Sequence, residues 1–388
     1  MSKLLYVFER EMPTVSIIRE NNRKQYAGTD VAWKMLPAWE VRPSDIEEAD
    51  SVILIRPNSS LILGIAKKAK KSGCFLSVLC DDDLLRLPKG IPDIPHRRRM
   101  LRRCLAVSDM VVSSSPYIAE EYGELTAGKR GFVSHTVVDG GFMREPVAPQ
   151  TGALKLVYAA GADHVTLFNE IILPVLPRLA ERYGDRLSLT LVGLNPNLDE
   201  AKKYLRVRHE GFRPLLDYRR YMRSEGFTLG LAPLHDTAFC HRKYFNKFIE
   251  YTLVGTAGVY SDQKPFTYVV RDGENGYLAK NTPEAWYAAI CRALDDAEER
   301  ERCLKNAQAL LLRDFSADRL LSAAREAMPE LYQTRTVRRR VPTLFWDRLF
   351  YLVTRLGDWA YLTVFHLNRS GVSGLLRQIR AHLRRQEA

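Results

Sequence analysis

Between residues 231 and 276 the chain gathers side chains able to handle a charged, hydroxylated ligand. A short apolar run leads into Pro233, Leu234, His235 and Asp236, then Phe239, then a helix that carries Lys243, Lys247 and Glu250 and ends before Gly255. Spacings of four and three put these three charges on one helical face near its amino-terminal half. Two ammonium groups beside a helix amino terminus favour a diphosphate, because the helix dipole and the lysine donors both attract negative charge. A carboxylate one turn further on could accept hydrogen bonds from ribose hydroxyls. The same spacing is also that of an ordinary solvated helix face. The segment follows a strand end in an α/β pattern, which favours the ligand-binding reading.

A second cluster stands earlier, where residues 75–79 run into Cys80, Asp81, Asp82 and Asp83. Carboxylates at the carboxyl end of a strand can bridge a divalent metal to a diphosphate, contact an acceptor, or cap the next helix. Because the nucleotide signals come some 160 residues later, the sequence favours acceptor contact by Asp82 and Asp83, with Arg19 and Arg56 as further candidates and no metal expected.

These residues need strands and helices to hold them. β-branched runs alternate with helix-period segments, the pattern of parallel sheets covered by helices. Strands are predicted at residues 4–8, 52–55, 75–79 and 110–113, then at 155–159, 187–192, 207–209, 228–232 and 258–261. Helices are predicted at 60–71 and 97–107, then at 167–183, 217–222, 244–254, 283–296 and 298–312. A turn-rich stretch from Gly140 to Gly152, with Pro146 and Pro149, reads as a linker. The expected organisation is a first domain at 1–145, a second at 153–334 and a tail at 335–388. Open α/β sheets bind ligands at the carboxyl ends of their strands, so a cleft facing both sheets is expected.

The ordered series Lys247, Glu250, Tyr251, Gly255, then Asp272-Gly273-Glu274-Asn275-Gly276, then Trp286, resembles the donor-binding region of GT-B glycosyltransferases, family 4 in particular. Upstream, Tyr158 to Gly161 and on to His164 is similar to the glycine loop after the first donor-domain strand in a bacterial branch of that family. The resemblance spans about residues 154–316. It implies two Rossmann-like domains, a nucleotide-sugar donor, and a retaining transfer that needs no metal or other cofactor. It also implies that Glu250 binds the donor ribose and that Lys243 and Lys247 neutralise the diphosphate. Gly161 would let backbone amides approach the phosphates, and His164 would sit at the mouth of that loop. Two features depart from the family pattern. Arg242 stands where many members carry an acid, and residues 165–169 lack the usual Arg and Lys pair. A nucleotide-sugar epimerase of the same fold and a non-catalytic GT-B-like binding subunit are therefore alternatives.

Of the net charge of +12, the segment 335–388 carries +8, from eleven arginines against three acids. A nearly balanced body argues against a nucleic-acid groove and turns attention to the tail. There Phe345, Leu349, Leu352, Leu356 and Trp359 recur in steps of three and four, and Leu375, Ile379 and Leu383 repeat the design among Arg377, Arg380, Arg384 and Arg385. Such amphipathic helices suit an anionic membrane surface or packing on the protein's own body. Hydrophobic and charged fractions of 46% and 27% are globular values, six scattered cysteines indicate no disulfide scaffold, and no signal peptide or spanning segment is evident. The expectation is a cytoplasmic glycosyltransferase, peripheral at the inner membrane face, acting on a glycan or lipid-linked acceptor in surface polysaccharide synthesis.

Overall fold

The computed structural model describes residues 1–88, 91–145, 152–161, 164–194 and 198–384. The chain forms two compact units, one of residues 1–134 and 321–388, the other of residues 135–320. Both exchange points differ from the sequence expectation. Residues 138–144 are tied into the second unit by backbone bonds from the Val138 N–H to the Phe315 carbonyl (2.8 Å) and from the Arg144 N–H to the Leu253 carbonyl (2.9 Å). Leu321, Ala324, Met328 and Leu331 bury their apolar side chains with Leu4, Tyr6 and Ile53 of the first unit. The expected linker lies partly outside the described residues, which omit 146–151.

In the first unit β1 (Ser2–Phe8), β2 (Val31–Pro37), β3 (Ser51–Ile55), β4 (Phe75–Leu79), β5 (Met110–Ser113) and β6 (Gly131–Val133) form a parallel sheet in the order β2-β1-β3-β4-β5-β6. Every residue of β3 and β5 is buried, as expected where helices cover both faces of a parallel sheet. The strands the sequence did not reveal here, β2 and β6, are the two edges. Their residues are mostly half-exposed, so they lack the continuous apolar run of a central strand.

The second unit repeats the architecture with β7 (Leu154–Ala159), β8 (Leu187–Val192), β9 (Arg206–Glu210), β10 (Leu229–Ala232), β11 (Ala257–Ser261) and β12 (Tyr277–Ala279), in the order β12-β11-β10-β7-β8-β9. Strand succession runs outward in both directions from the β7–β10 pair. That pair is therefore the topological switch point, where open α/β sheets leave a crevice at their carboxyl ends. The helix predicted at 167–183 is irregular: residues 168–172 form a π turn and 173–175 a 3-10 turn before regular helix resumes at Leu176–Tyr183. Pro174 and Pro177 remove two backbone donors from this stretch, which accounts for the departure.

The tail is a helix, Phe345–Arg384, interrupted by a non-helical residue at Gly371, and it packs on the first unit. Its lead-in is pinned by Asp50, whose buried carboxylate accepts from the Arg335 N–H (3.1 Å) and from the Arg338 guanidinium (2.7 Å). Lys68 pairs with Asp347 at 2.5 Å, Ser60 bonds Thr354 at 3.0 Å, and Arg97 bonds Asp358 at 2.8 Å. Gly64 makes this approach possible, because a Cβ there would overlap the Asp347 carboxylate. The second stripe at Leu375, Ile379 and Leu383 lies on helical backbone, but its side chains, and residues 385–388, lie outside the described residues. Among the described residues no helix is long and apolar enough to cross a membrane.

Candidate active site

The carboxyl ends of β7 and β10 carry the loops that the sequence singled out. After β7, exposed Gly161 accepts a backbone bond from the His164 N–H (3.1 Å), and the Tyr158 hydroxyl donates to the His164 carbonyl (3.2 Å). His164 precedes the first helical turn, while Ala162 and Asp163 lie outside the described residues. After β10, the 233–236 loop is held from beneath. The Leu234 N–H donates to Ser261 Oγ at 2.8 Å, and the Leu234 carbonyl accepts from Gln263 (2.8 Å) and Asn281 (2.7 Å). Gln263 also donates to the His235 carbonyl at 2.9 Å. Exposed Asp236 lies 2.8 Å from His241 Nε2. The loop backbone is thus fixed, with half-buried His235 and Phe239 and exposed Asp236 around it.

The expected single helix bearing Lys243, Lys247 and Glu250 is two helices, Ala238–His241 and Asn246–Leu253. Phe245 leaves helical geometry (φ −79, ψ 46), and its buried ring packs against His135, Phe248 and Phe315, so core packing imposes the break. Lys243 therefore lies in the turn, its ammonium 5.5 Å from the centre of the Phe239 ring. Lys247 and Glu250 remain on one helix, Nζ to Oε2 at 2.5 Å. Tyr218, from the helix Leu215–Glu225, completes a trio: its hydroxyl donates to Glu250 Oε2 at 3.0 Å and lies 3.3 Å from Lys247 Nζ. Burial acts against the Lys247 charge, but the Glu250 carboxylate more than offsets it, so the ammonium is held above its ordinary pKa. The Tyr218 phenol is pushed well up by burial, and Glu250 adds to the shift.

Tyr251 fixes this helix to both strands of the switch point. Its hydroxyl donates to the Leu231 carbonyl of β10 (3.0 Å) and accepts from the Ala159 N–H of β7 (3.4 Å). Its ring fills the space left by Gly230, where a Cβ would overlap it. The first turn of the helix has no side-chain cap, and its Phe248 N–H bonds the Phe245 carbonyl at 3.0 Å. Neither Tyr218 nor the support from Ser261, Gln263 and Asn281 was legible in the sequence, because each acts across 27 to 47 residues through tertiary contacts. Arg242 donates to the Ala238 carbonyl at 2.9 Å.

In the first unit, Arg56 closes β3 in the left-handed region (φ 46), a conformation that costs of order 1–3 kcal/mol for a non-glycine residue. Its guanidinium contacts Asp81 (2.5 and 2.6 Å) and Asp82 (2.6 Å), and Thr14 donates to Asp81 at 2.8 Å. Burial opposes the Arg56 charge, but Asp81 and then Asp82 hold it. Asp83 is turned inward. Its carboxylate is buried, accepts from the Tyr122 hydroxyl at 2.8 Å and pairs with Arg86 at 3.3 Å, so it is a loop anchor and not open to an acceptor. The three aspartates therefore do not converge on one point. Arg19 pairs with Glu11 at 2.5 Å on the surface.

Two parallel six-stranded sheets covered by helices are the architecture of a glycosyltransferase of the GT-B fold. Residues 157–296 match the family described as glycosyl transferases group 1. HepE of Anabaena, solved with UDP and glucose, is 14% identical, with a TM-score of 0.58 over 85% of this chain and 100% of its own. Sucrose-phosphate synthase of Thermosynechococcus elongatus is 13% identical, with a TM-score of 0.59 over 86% and 99%. The lipopolysaccharide outer core galactosyltransferase WaaB is 12% identical, with a TM-score of 0.54 over 84% and 99%. No curated protein sequence matches the chain.

Proposed function

We propose that the protein transfers a sugar from a nucleoside diphosphate donor, held by the second unit, to a glycan or lipid-linked acceptor, with retention of configuration and without a metal. The observation that carries this reading is the Lys247–Glu250–Tyr218 trio on a helix bonded to both strands of the switch point, within the matched residues. Glu250 takes the ribose hydroxyls. Lys247, with Lys243 and the amides opening the helix, stabilises the negative charge that develops on the departing diphosphate. No protein nucleophile is assigned, and the acceptor hydroxyl attacks from the face that the leaving group vacates. Arg19 and the exposed edge of Asp82 are acceptor-side candidates of the first unit. HepE and trehalose-6-phosphate structures that hold UDP or UDP-sugars support a uridine nucleotide as the first donor to try. The reading extends to work at the cytoplasmic membrane face in surface polysaccharide synthesis.

Thermal shift against nucleoside diphosphates and their sugars, followed by turnover assays in excess chelator, tests it. A donor that raises the melting temperature and is turned over with chelator present supports the reading. Loss of turnover on chelation, restored by magnesium or manganese, removes metal independence. Isomerisation of the donor alone identifies an epimerase, and absence of any shift identifies a non-catalytic member, the reading favoured by Arg242 in place of an acid.

A further inference from the structure

The tail helix packs with its polar side inward. Asp347, Tyr351, Thr354 and Asp358 recur at steps of three and four and are buried or half-buried against the first unit. The rest of the helix surface carries Trp346 at 70% exposure, Phe350 at 58%, Val353 at 59% and Leu356 at 71%, together with exposed Phe345 and Trp359. Apolar exposure on this scale marks a docking surface, since a soluble monomer does not keep a contiguous aromatic stripe in water without use.

Charge identifies the occupant. The tail helix contacts the helix Ser60–Ser72, which in turn contacts the helix Pro95–Val107. Neither of those two helices contains an Asp or Glu. Between residues 345 and 372 the acids are Asp347 and Asp358, both turned inward to Lys68 and Arg97. Exposed bases remain: Lys67 and Lys71 on one helix, and Arg99, Arg102 and Arg103 on the next. A second copy docking through the same patch would set like charges face to face, because a two-fold interface pairs a surface with itself. An anionic bilayer satisfies both features, taking the apolar stripe at the headgroup boundary and pairing the bases with lipid charge.

We propose that this face of the first unit is a docking surface for anionic lipid, with Trp346, Phe350 and Leu356 inserted and Lys67, Lys71, Arg99 and Arg102 in contact with headgroups. The proposal deepens the membrane part of the function proposed above and rests on it, yet its test reads binding to lipid rather than turnover. Failure of one therefore does not read as failure of the other. The ion pairs to Lys68 and Arg97 hold the helix in register, so the stripe is presented ready-formed.

The experiment is sedimentation of the full chain with vesicles of phosphatidylcholine alone, and of phosphatidylcholine mixed with phosphatidylglycerol. Binding to the mixed vesicles only is expected, weakening as salt rises from about 0.1 to 0.5 M. The variant W346S/F350S/L356S should partition about tenfold less or worse, and R99E/R102E should abolish the preference for anionic lipid. Because all five positions are at the surface, circular dichroism and nucleotide-induced thermal shift should match the parent. Absence of vesicle binding by the parent, equal binding by the triple variant, or a parent dimer in light scattering that the triple variant dissolves would each overturn the proposal.

Discussion

The Lys247 ammonium lies 2.5 Å from the Glu250 carboxylate, one turn apart on a helix of eight residues. Each partner thereby satisfies the other in the absence of ligand, and both side chains keep about a quarter of their surface exposed. In the donor complex proposed above, a diphosphate at Lys247 would compete with Glu250 and free its oxygens toward ribose, while the Tyr218 hydroxyl holds Glu250 in place.

Lys247→Ala and Glu250→Gln should therefore each reduce donor affinity while leaving the melting temperature near that of the parent. Loss of one charge-assisted contact amounts to roughly 1.5–3 kcal/mol, about ten- to a hundredfold. Tyr218→Phe should give a smaller loss, since it removes only a positioning bond to Glu250. Donor titration by calorimetry reads all three, and parental affinity in both Lys247 and Glu250 variants would remove the assignment.

Gly230 and Tyr251 should be coupled. Gly230→Ala forces the Tyr251 ring out of its seat, and its two bonds to β7 and β10 are lost with it. A destabilisation of about 2–4 kcal/mol is expected, from overpacking together with unsatisfied strand groups. Combining Gly230→Ala with Tyr251→Leu should recover part of this in chemical denaturation, and additive effects would show that the two do not share one space.

Acid should destabilise the second unit through His135. Its ring is stacked on Tyr244 and packs against a tilted Phe315, and burial pushes its pKa down to about 4 from an ordinary 6.5. A lowered basic pKa means that between about pH 4 and 6.5 the unfolded chain binds a proton that the folded chain refuses. Stability then rises with pH across this window and is flat in this respect above it, by up to about 3 kcal/mol. His135→Phe should remove that slope from melting temperatures measured between pH 4.5 and 7.

Gly64→Leu should undock the tail, because any larger residue collides with Asp347 where it meets Lys68. Limited proteolysis should then cut near residue 345 faster than in the parent. Loss of the half-buried Lys68–Asp347 pair and of the burial at Val341 and Leu344 should also lower the first unit's stability by about 1–3 kcal/mol. An unchanged cleavage rate would mean that the helix is held elsewhere.

The sequence by itself determined what period and composition encode. Central strands such as β3, β5 and β10 are mostly apolar on both faces and announce themselves, and the ordered series from Lys247 to Trp286 pointed to the donor half. It also separated the arginine-rich tail from the near-neutral body. Tertiary structure decided what depends on partners distant in the chain. Edge strands β2, β6 and β12 are short or half-exposed, so their pairing appears only once a neighbour is present. Phe245 breaks a stretch with good helical spacing because its ring is needed in the core, which took Lys243 off the helix. Asp83 reads as one of three equivalent acids until Tyr122, 39 residues away, claims it. The tail stripe was visible as a pattern, but which side of the helix faces the body followed from Lys68 and Arg97. With Asp347 and Asp358 turned to these two cations, the aromatic side chains are left facing outward.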